Sequence, residues 1–230
     1  MKPFLPAIIC LTLLFGCASN EIGNSKDVNP DTIYTGYEIR YTEGDEMVEC
    51  IARFRFAGKN GTTLVLTNPS KIELDGIAMP VDSSNAAGAY YHVDKPFNGF
   101  EGKHSLVFTD INGKTYDETF TFKPFKLDSA IPAKAGAEGL PVTFEGLADG
   151  SLLHVEAADT SLDTEDISRI DTVKNGGILL SAANLAGFKN GPVNMEFYID
   201  TDIPLENATK EGGKLNLVYK LKQQRTMLKK

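Results

Sequence analysis

From Thr32 to about Phe125 the chain is dominated by a two-residue period, and that period leaves few folds open. Its clearest stretch is Val48-x-Cys50-x-Ala52-x-Phe54-x-Phe56, with Glu49, Arg53 and Arg55 among the residues between. Successive side chains of a strand point to opposite faces, so only β-structure lets this spelling bury one face and wet the other. Shorter runs repeat it: Tyr34, Tyr37, Ile39 and Tyr41, then residues 62–67, Ile72 with Leu74, and residues 89–93, 104–109 and 114–122. Between them stand turn residues: Glu43-Gly44-Asp45, Gly58-Lys59-Asn60-Gly61, Asn68-Pro69-Ser70, Asp75-Gly76 and Asp110-Ile111-Asn112-Gly113. Short strands joined by such turns, with no helix-length period, predict an antiparallel sandwich. Glu118 breaks the pattern, falling on the face that Tyr116, Phe120 and Phe122 share.

Lys123-Pro124-Phe125-Lys126 marks a boundary, after which the text changes. Val142 and Phe144, then residues 152–155, 178–180, 193–199 and 215–221, read as further strands. Asp149-Gly150, Asn175-Gly176-Gly177 and Asn190-Gly191-Pro192 punctuate them. Asp163-Thr164-Glu165-Asp166 supplies a cap and first-turn acids for a short helix carrying Ile167 and Ile170, and residues 181–188 predict another helical turn. The expected fold class is therefore all-β in the main: two tandem immunoglobulin-like antiparallel β-sandwich domains, the second with short helical insertions. The boundaries are 32–125 for the N-terminal sandwich and 126–230 for the C-terminal β-rich domain. The cysteine pair and tryptophan of true immunoglobulin domains are absent.

The first 17 residues obey other rules. Lys2 is followed by an apolar run from Phe4 to Phe15, interrupted at Pro6. This is the pattern of a secretory leader and is well short of the ~20 apolar residues of a membrane-spanning helix. It closes on Leu14-Phe15-Gly16-Cys17, which resembles the lipobox of bacterial lipoproteins. That resemblance implies cleavage after Gly16 and acylation of Cys17 by palmitate-type chains, each buried CH₂ contributing about 0.8 kcal/mol of membrane binding. Phe15 is bulkier than the residue usual at its position. Ordinary secretion with a chance cysteine is the alternative. Residues 18–31 are polar apart from Ile22 and Val28 and are expected to form a flexible tether.

Lipobox, tether and paired sandwiches together resemble the uncharacterised surface lipoproteins common in gut-type Bacteroidetes. Residues 59–66 (Lys-Asn-Gly-Thr-Thr-Leu-Val-Leu) and 108–114 (Phe-Thr-Asp-Ile-Asn-Gly-Lys) are similar to segments of such proteins. Asp31-Thr32-Ile33, Asp128-Ser129-Ala130 and Asp171-Thr172-Val173 resemble the short O-glycan acceptor motif of exported Bacteroidetes proteins. The likeness is one of architecture and implies no catalytic residue and no cofactor.

Composition excludes one partner class. Removing the leader takes away Lys2 and no acid, so 23 basic against 31 acidic side chains, net −8, become 22 against 31. Such a surface repels phosphate backbones, and nucleic acid is not an expected partner. Cys50 is the single thiol left after Cys10 and Cys17, so no internal disulfide is available and its alternating context makes it a buried hydrophobe.

Candidate chemistry is sparse. His92, His104 and His154 each fall within an expected strand without ligand spacing, so no metal site is predicted. Asp159, Asp163, Glu165 and Asp166 offer oxygen donors for calcium but lack the EF-hand glycine and closing glutamate; a helix cap and solvated loop is the reading preferred. There is no Gly-x-Ser-x-Gly elbow and no phosphate loop, and no carboxylate pair identifies itself as a glycosidase dyad. The basic tail beyond Tyr219 is expected to be a solvated end. Aromatic residues carry the best binding expectation: Tyr34, Tyr37, Tyr41, Tyr90, Tyr91, Phe97 and Phe100, at strand ends or loops, suit stacking on sugars or anchoring a protein. Tyr90, Tyr91, Phe97 and Phe100 are put first, although filling the sandwich core is the reading preferred for most aromatic residues. Tyr90 and Tyr91 must face opposite ways, and the lack of tryptophan counts against a sugar platform. The expected protein is a lipid-anchored cell-envelope binding or scaffolding protein, outer-membrane attached and non-catalytic. Its alternatives are a carbohydrate-binding accessory lipoprotein of a polysaccharide-uptake system and a hydrolase with an unrecognised site. Its expected partners are the membrane, through the lipid, and a glycan or envelope protein.

Overall fold

The computed structural model describes residues 22–84, 88–160 and 166–229. Cys17 and the expected leader lie outside the described residues, as do two of the four acids expected to form a calcium loop or helix cap: Asp163 and Glu165 fall outside, Asp159 and Asp166 within. Among the described residues no helix is long and apolar enough to cross a membrane.

The architecture is all-β, as the period predicts. In the first section β2 (Ile33–Thr42), β3 (Met47–Phe56), β4 (Thr62–Val65), β7 (Val81–Ser84) and β8 (Gly88–Pro96) lie in one sheet. A four-stranded sheet faces it, in the order β10 (Thr115–Phe122), β9 (Gly102–Thr109), β5 (Lys71–Leu74), β6 (Ile77–Ala78). Phe54 of β3 meets Phe108 of β9 across the gap with ring centroids 4.6 Å apart, and both are fully buried. In the second section β13 (Leu152–Asp159), β14 (Ile167–Thr172), β16 (Gly191–Pro204), β17 (Gly213–Lys220) and β18 (Gln224–Leu228) are covered by β11 (Lys126–Leu127), β12 (Gly139–Glu145) and β15 (Gly177–Ser181). There Phe144 meets Phe197 edge-on at 5.3 Å.

The two large layers are one sheet. β17 pairs antiparallel with β16 on one side and parallel with β2 on the other, in register from Gly213 opposite Thr35 to Lys220 opposite Thr42. An eleven-stranded sheet thus runs through both sections, with the two smaller sheets packed on one of its faces. The loop between β16 and β17 docks on the first section as well. Buried Glu118, the residue out of pattern, accepts the Glu206 N–H at 2.9 Å, and Thr209 Oγ1 donates to the Ile33 carbonyl. A carboxylate faces the core here because it satisfies a backbone donor of another segment, which a buried amide requires.

Five expectations need correction. The sheet is not purely antiparallel, since β2 pairs parallel with β17 and β1 (Ile22–Asn24) parallel with β4. From Ile22 onward the expected tether belongs to the fold: β1 adds to the sheet, and buried Ser25 accepts the Thr67 N–H at 2.8 Å. Ile167 and Ile170 lie in strand β14, whose ladder with β13 satisfies the backbone that a helix would have satisfied internally. Residues 181–188 make a single turn, Leu185 N–H to Ser181 carbonyl at 3.2 Å, and no helix. The basic tail is also structured, as β18 along the first half of β16.

Because both cores rest on one sheet, Phe54→Ala and Phe197→Ala should each cost about 3–5 kcal/mol and shift the same cooperative transition in urea unfolding. Two separate transitions, each moved by one substitution only, would show that the sections unfold independently.

Candidate functional site

Where β2 and β17 end side by side, aromatic residues floor a groove between the two sections. Tyr41 closes the inward row Ile33, Tyr37, Ile39 of β2, and the register sets it opposite Tyr219 of β17, ring centroids 5.2 Å apart. Phe97 follows β8, held by its N–H to the Glu46 carbonyl at 2.9 Å, and its ring stacks on Tyr41 at 4.2 Å and 12°. Phe125, from the Lys-Pro-Phe-Lys boundary, reaches Tyr219 at 5.0 Å. Gly146, with φ +96°, lets the turn after β12 lie against that boundary; a Cβ there would come within 3.0 Å of the Pro124 carbonyl oxygen.

The resulting groove has a volume of 580 Å³, within the roughly 300–1,000 Å³ usual for small-ligand sites. Tyr41, Phe125 and Tyr219 are almost wholly buried, whereas Phe97 is half-buried and presents an edge. The rim is charged: Glu43, Asp45, Glu101 and Glu145 against Lys123 and Lys126. Lys126 pairs with Glu145 at 2.9 Å, both largely exposed, so this contact shapes the rim more than it stabilises the fold. Tyr41 donates to the Asp45 carbonyl at 3.3 Å, and burial raises the pKa of both Tyr41 and Tyr219, keeping them neutral phenols. The accessible part of the Phe97 ring and a rim rich in carboxylate acceptors suit a ligand with C–H faces and many hydroxyls, while Tyr41, Phe125 and Tyr219 pack beneath as support. The lining includes no serine, histidine or cysteine.

The aromatic residues singled out from the sequence part company. Phe97 and Tyr41 line this groove, Tyr37 is buried, and Tyr34 lies on the open face of the sheet. Tyr91 is buried, edge-on to Phe54, and its hydroxyl accepts the Leu66 N–H at 2.6 Å. Phe100 is buried and stacks on His104 at 3.9 Å. Neither can offer a face to a ligand, because each fills the first core. Tyr90 faces away from that core, donates to Asp82 at 3.0 Å, and lies under the Arg53 guanidinium at 5.5 Å. Tyr219 and Phe125 were not singled out: strand alternation turns Tyr219 inward, but nothing local says which strand it will meet.

The remaining candidates take structural places. His104 bridges the Asp75 carboxylate (2.8 Å) and the Phe100 carbonyl (2.6 Å), tying the Asp75-Gly76 hairpin to β9. His92 lies 3.2 Å from Asp94 on the open sheet face, and His154 stacks on Tyr198 at 4.5 Å. Asp159 accepts the Lys189 N–H at 3.0 Å. Among the described residues no group of three or more His, Cys, Asp or Glu side chains is placed to hold a metal.

No family model matches the chain, and no curated relative matches it. Three solved structures share partial similarity. The IG1+IG2 region of DIP-gamma is 9% identical, with TM-score 0.22, covering 82% of this chain and 94% of its own. The fibronectin(III)-like modules of Clostridium thermocellum CbhA are 12% identical, with TM-score 0.25 and the same two coverages, 82% and 94%. Bacteroides ovatus SGBP-B of a mixed-linkage glucan utilization locus, in complex with a mixed-linkage heptasaccharide, is 12% identical, with TM-score 0.19, covering 96% of this chain and 69% of its own. No residue role is carried over from any of them.

Cys50, fully buried on β3, has its thiol pushed up to about 12 by desolvation. A raised folded-state pKa contributes stability that is complete below the ordinary thiol value of 9.0 and fades as pH climbs toward 12. Native protein at pH 8 should therefore react with a thiol reagent far more slowly than urea-unfolded protein, and urea midpoints should fall between pH 9 and pH 12 in wild type more steeply than in Cys50→Ala.

Proposed function

We propose that this chain is a non-catalytic binding protein of the cell envelope, anchored through lipid on Cys17, that holds a saccharide in the groove between its two sections. The observation that carries the reading is the groove itself: the half-buried Phe97 ring, backed by the packed rings of Tyr41, Phe125 and Tyr219, under a carboxylate rim. Sugars present C–H faces to aromatic rings and hydroxyls to carboxylates, and this site supplies both.

Anchoring places the site. Only residues 18–21 separate Cys17 from β1, so even a fully extended chain spans about 18 Å from the acylated residue to Ile22. The β1–β4 edge of the sheet would then sit near the bilayer surface, with the rest of the fold reaching outward. Cys17→Ala should release the protein from the membrane fraction of cells; unchanged retention would sink the anchor.

A glycan array with the detergent-solubilised full chain tests the groove. At least one neutral glycan should bind, and Phe97→Ala, which leaves the buried core residues in place, should weaken it about tenfold, a loss of ~1.4 kcal/mol. Silence across the array from folded protein would count against a saccharide ligand. Turnover of a bound glycan would instead favour the hydrolase reading, using carboxylates of the rim.

A further inference from the structure

A second concavity, unconnected with the groove in its lining residues, lies on the open face of the shared sheet. Its centre is a missing side chain. Gly36 of β2 is flanked in register by Arg53 of β3 and Lys214 of β17, and strand alternation sets Tyr34 and Glu38 on the same face to either side. The dish so formed has a volume of 330 Å³. Nothing in the backbone demands glycine here. An added Cβ would find only ordinary contacts, the Arg53 carbonyl oxygen at 3.8 Å and Tyr34 Cε1 at 4.0 Å, and φ is not in the left-handed region. What the glycine does is leave the floor open beside the Tyr34 ring.

The wall is rigid for a stated reason. The turn between β3 and β4 carries Lys59 and Asn60 beside the dish and closes with Gly61, whose Cβ would stand 1.6 Å from the Phe56 carbonyl oxygen. Only glycine permits that approach, and the Gly61 N–H donates to the Gly58 carbonyl at 2.9 Å. Arg55, opposite Tyr34 in the ladder, donates to the Gly61 carbonyl at 3.1 Å, joining strand to turn.

The charges are unevenly spent. Arg53 is engaged by Glu38 at 3.3 Å and Lys214 by Asp202 at 2.7 Å. Among the described residues Arg55 and Lys59 have no partner at ion-pair distance, although the Lys59 charge is felt by Asp202. Burial, then the neighbouring Arg53 charge, hold Arg55 below the usual arginine range. A chain of net charge −8 thus concentrates cations in one of its concavities, and an anion entering there would offset the repulsion between the two guanidinium groups.

We propose that the dish over Gly36 binds an acidic saccharide, its anionic group held by Arg55 and Lys59 and its sugar ring laid against Tyr34. A peptide is disfavoured because β2 is hydrogen-bonded along this stretch to β3 on one side and β17 on the other, leaving no free backbone edge to extend. The ligand must be gripped by side chains, and the amides of Asn60 and Asn216 in the lining suit hydroxyls. The anion is a uronate carboxylate or a sulfate ester, both of which fit a guanidinium fork.

Calorimetric titration of the detergent-solubilised full chain decides it, with trigalacturonate, a sulfated galactan oligosaccharide, maltotriose and inorganic sulfate as probes. At least one acidic oligosaccharide should bind, more weakly as salt rises, and which one binds identifies the anion. Arg55→Gln, which removes the charge, and Gly36→Leu, which fills the floor, should each weaken it about tenfold or more with unchanged circular dichroism. Phe97→Ala should leave this binding untouched, so failure here and failure of the groove are distinguishable. Neither acidic probe binding, maltotriose binding equally well, inorganic sulfate binding as tightly as the oligosaccharide, or indifference to both dish substitutions would overturn the proposal.

Discussion

The parallel ladder between β2 and β17 is the contact on which the rest of this molecule depends. Without it the chain would be two unrelated β-layers joined by the Lys-Pro-Phe-Lys boundary. With it, backbone hydrogen bonds continue across the join from Thr35 to Thr42, and both smaller sheets pack on one shared surface. Parallel pairing between distant segments needs a long connection, and here the rest of the first section and most of the second, residues 43–212, supply it. Its two flanks are also held by side chains: Glu118 and the Ile33 carbonyl engage the 205–212 loop at one end, and the Tyr41–Tyr219 contact closes the other.

Both concavities follow from that ladder. On the covered side, bringing Tyr219 beside Tyr41 gathers rings from three parts of the chain, and the gap between the two smaller sheets becomes a groove over them. On the open side, bringing Lys214 beside Gly36 completes a ring of side chains around an empty position. The two sites therefore lie on opposite faces of one sheet and differ in chemistry, aromatic and acid-rimmed on one face, cationic on the other.

The charge distribution fits this division. Much of the open face is laced by paired charges, Arg40 with Glu38 and Glu49, and Lys214 with Asp202, which individually add little stability but keep a broad polar sheet wet and unassociated. Against that background Arg55 and Lys59, with no partner at ion-pair distance among the described residues, stand out, as does half-buried Phe97 beside the buried rings it packs on.

Much of the fold was legible in the residues because side-chain alternation is a local property. The period from Val48 to Phe56 determined a strand with Cys50 and Phe54 inward, and Asp75-Gly76 and Asp110-Ile111-Asn112-Gly113 determined hairpin turns, since each depends on neighbours a few positions away. The Leu14-Phe15-Gly16-Cys17 spelling from which a lipid anchor is expected is likewise local. Alternation says which way a side chain points and not which strand lies beside it. Backbone hydrogen bonds are chemically alike along every strand, so the choice of β17 as the partner of β2 was settled by packing of the whole chain. That choice brings the loop before β17 to buried Glu118 and sets Tyr219 beside Tyr41 under the groove. The pairing of Ile22 with β4 and of Ile167 and Ile170 with β13, and the burial of Tyr91 and Phe100 in the first core, were settled in the same way, by contacts between distant segments that alternation does not specify.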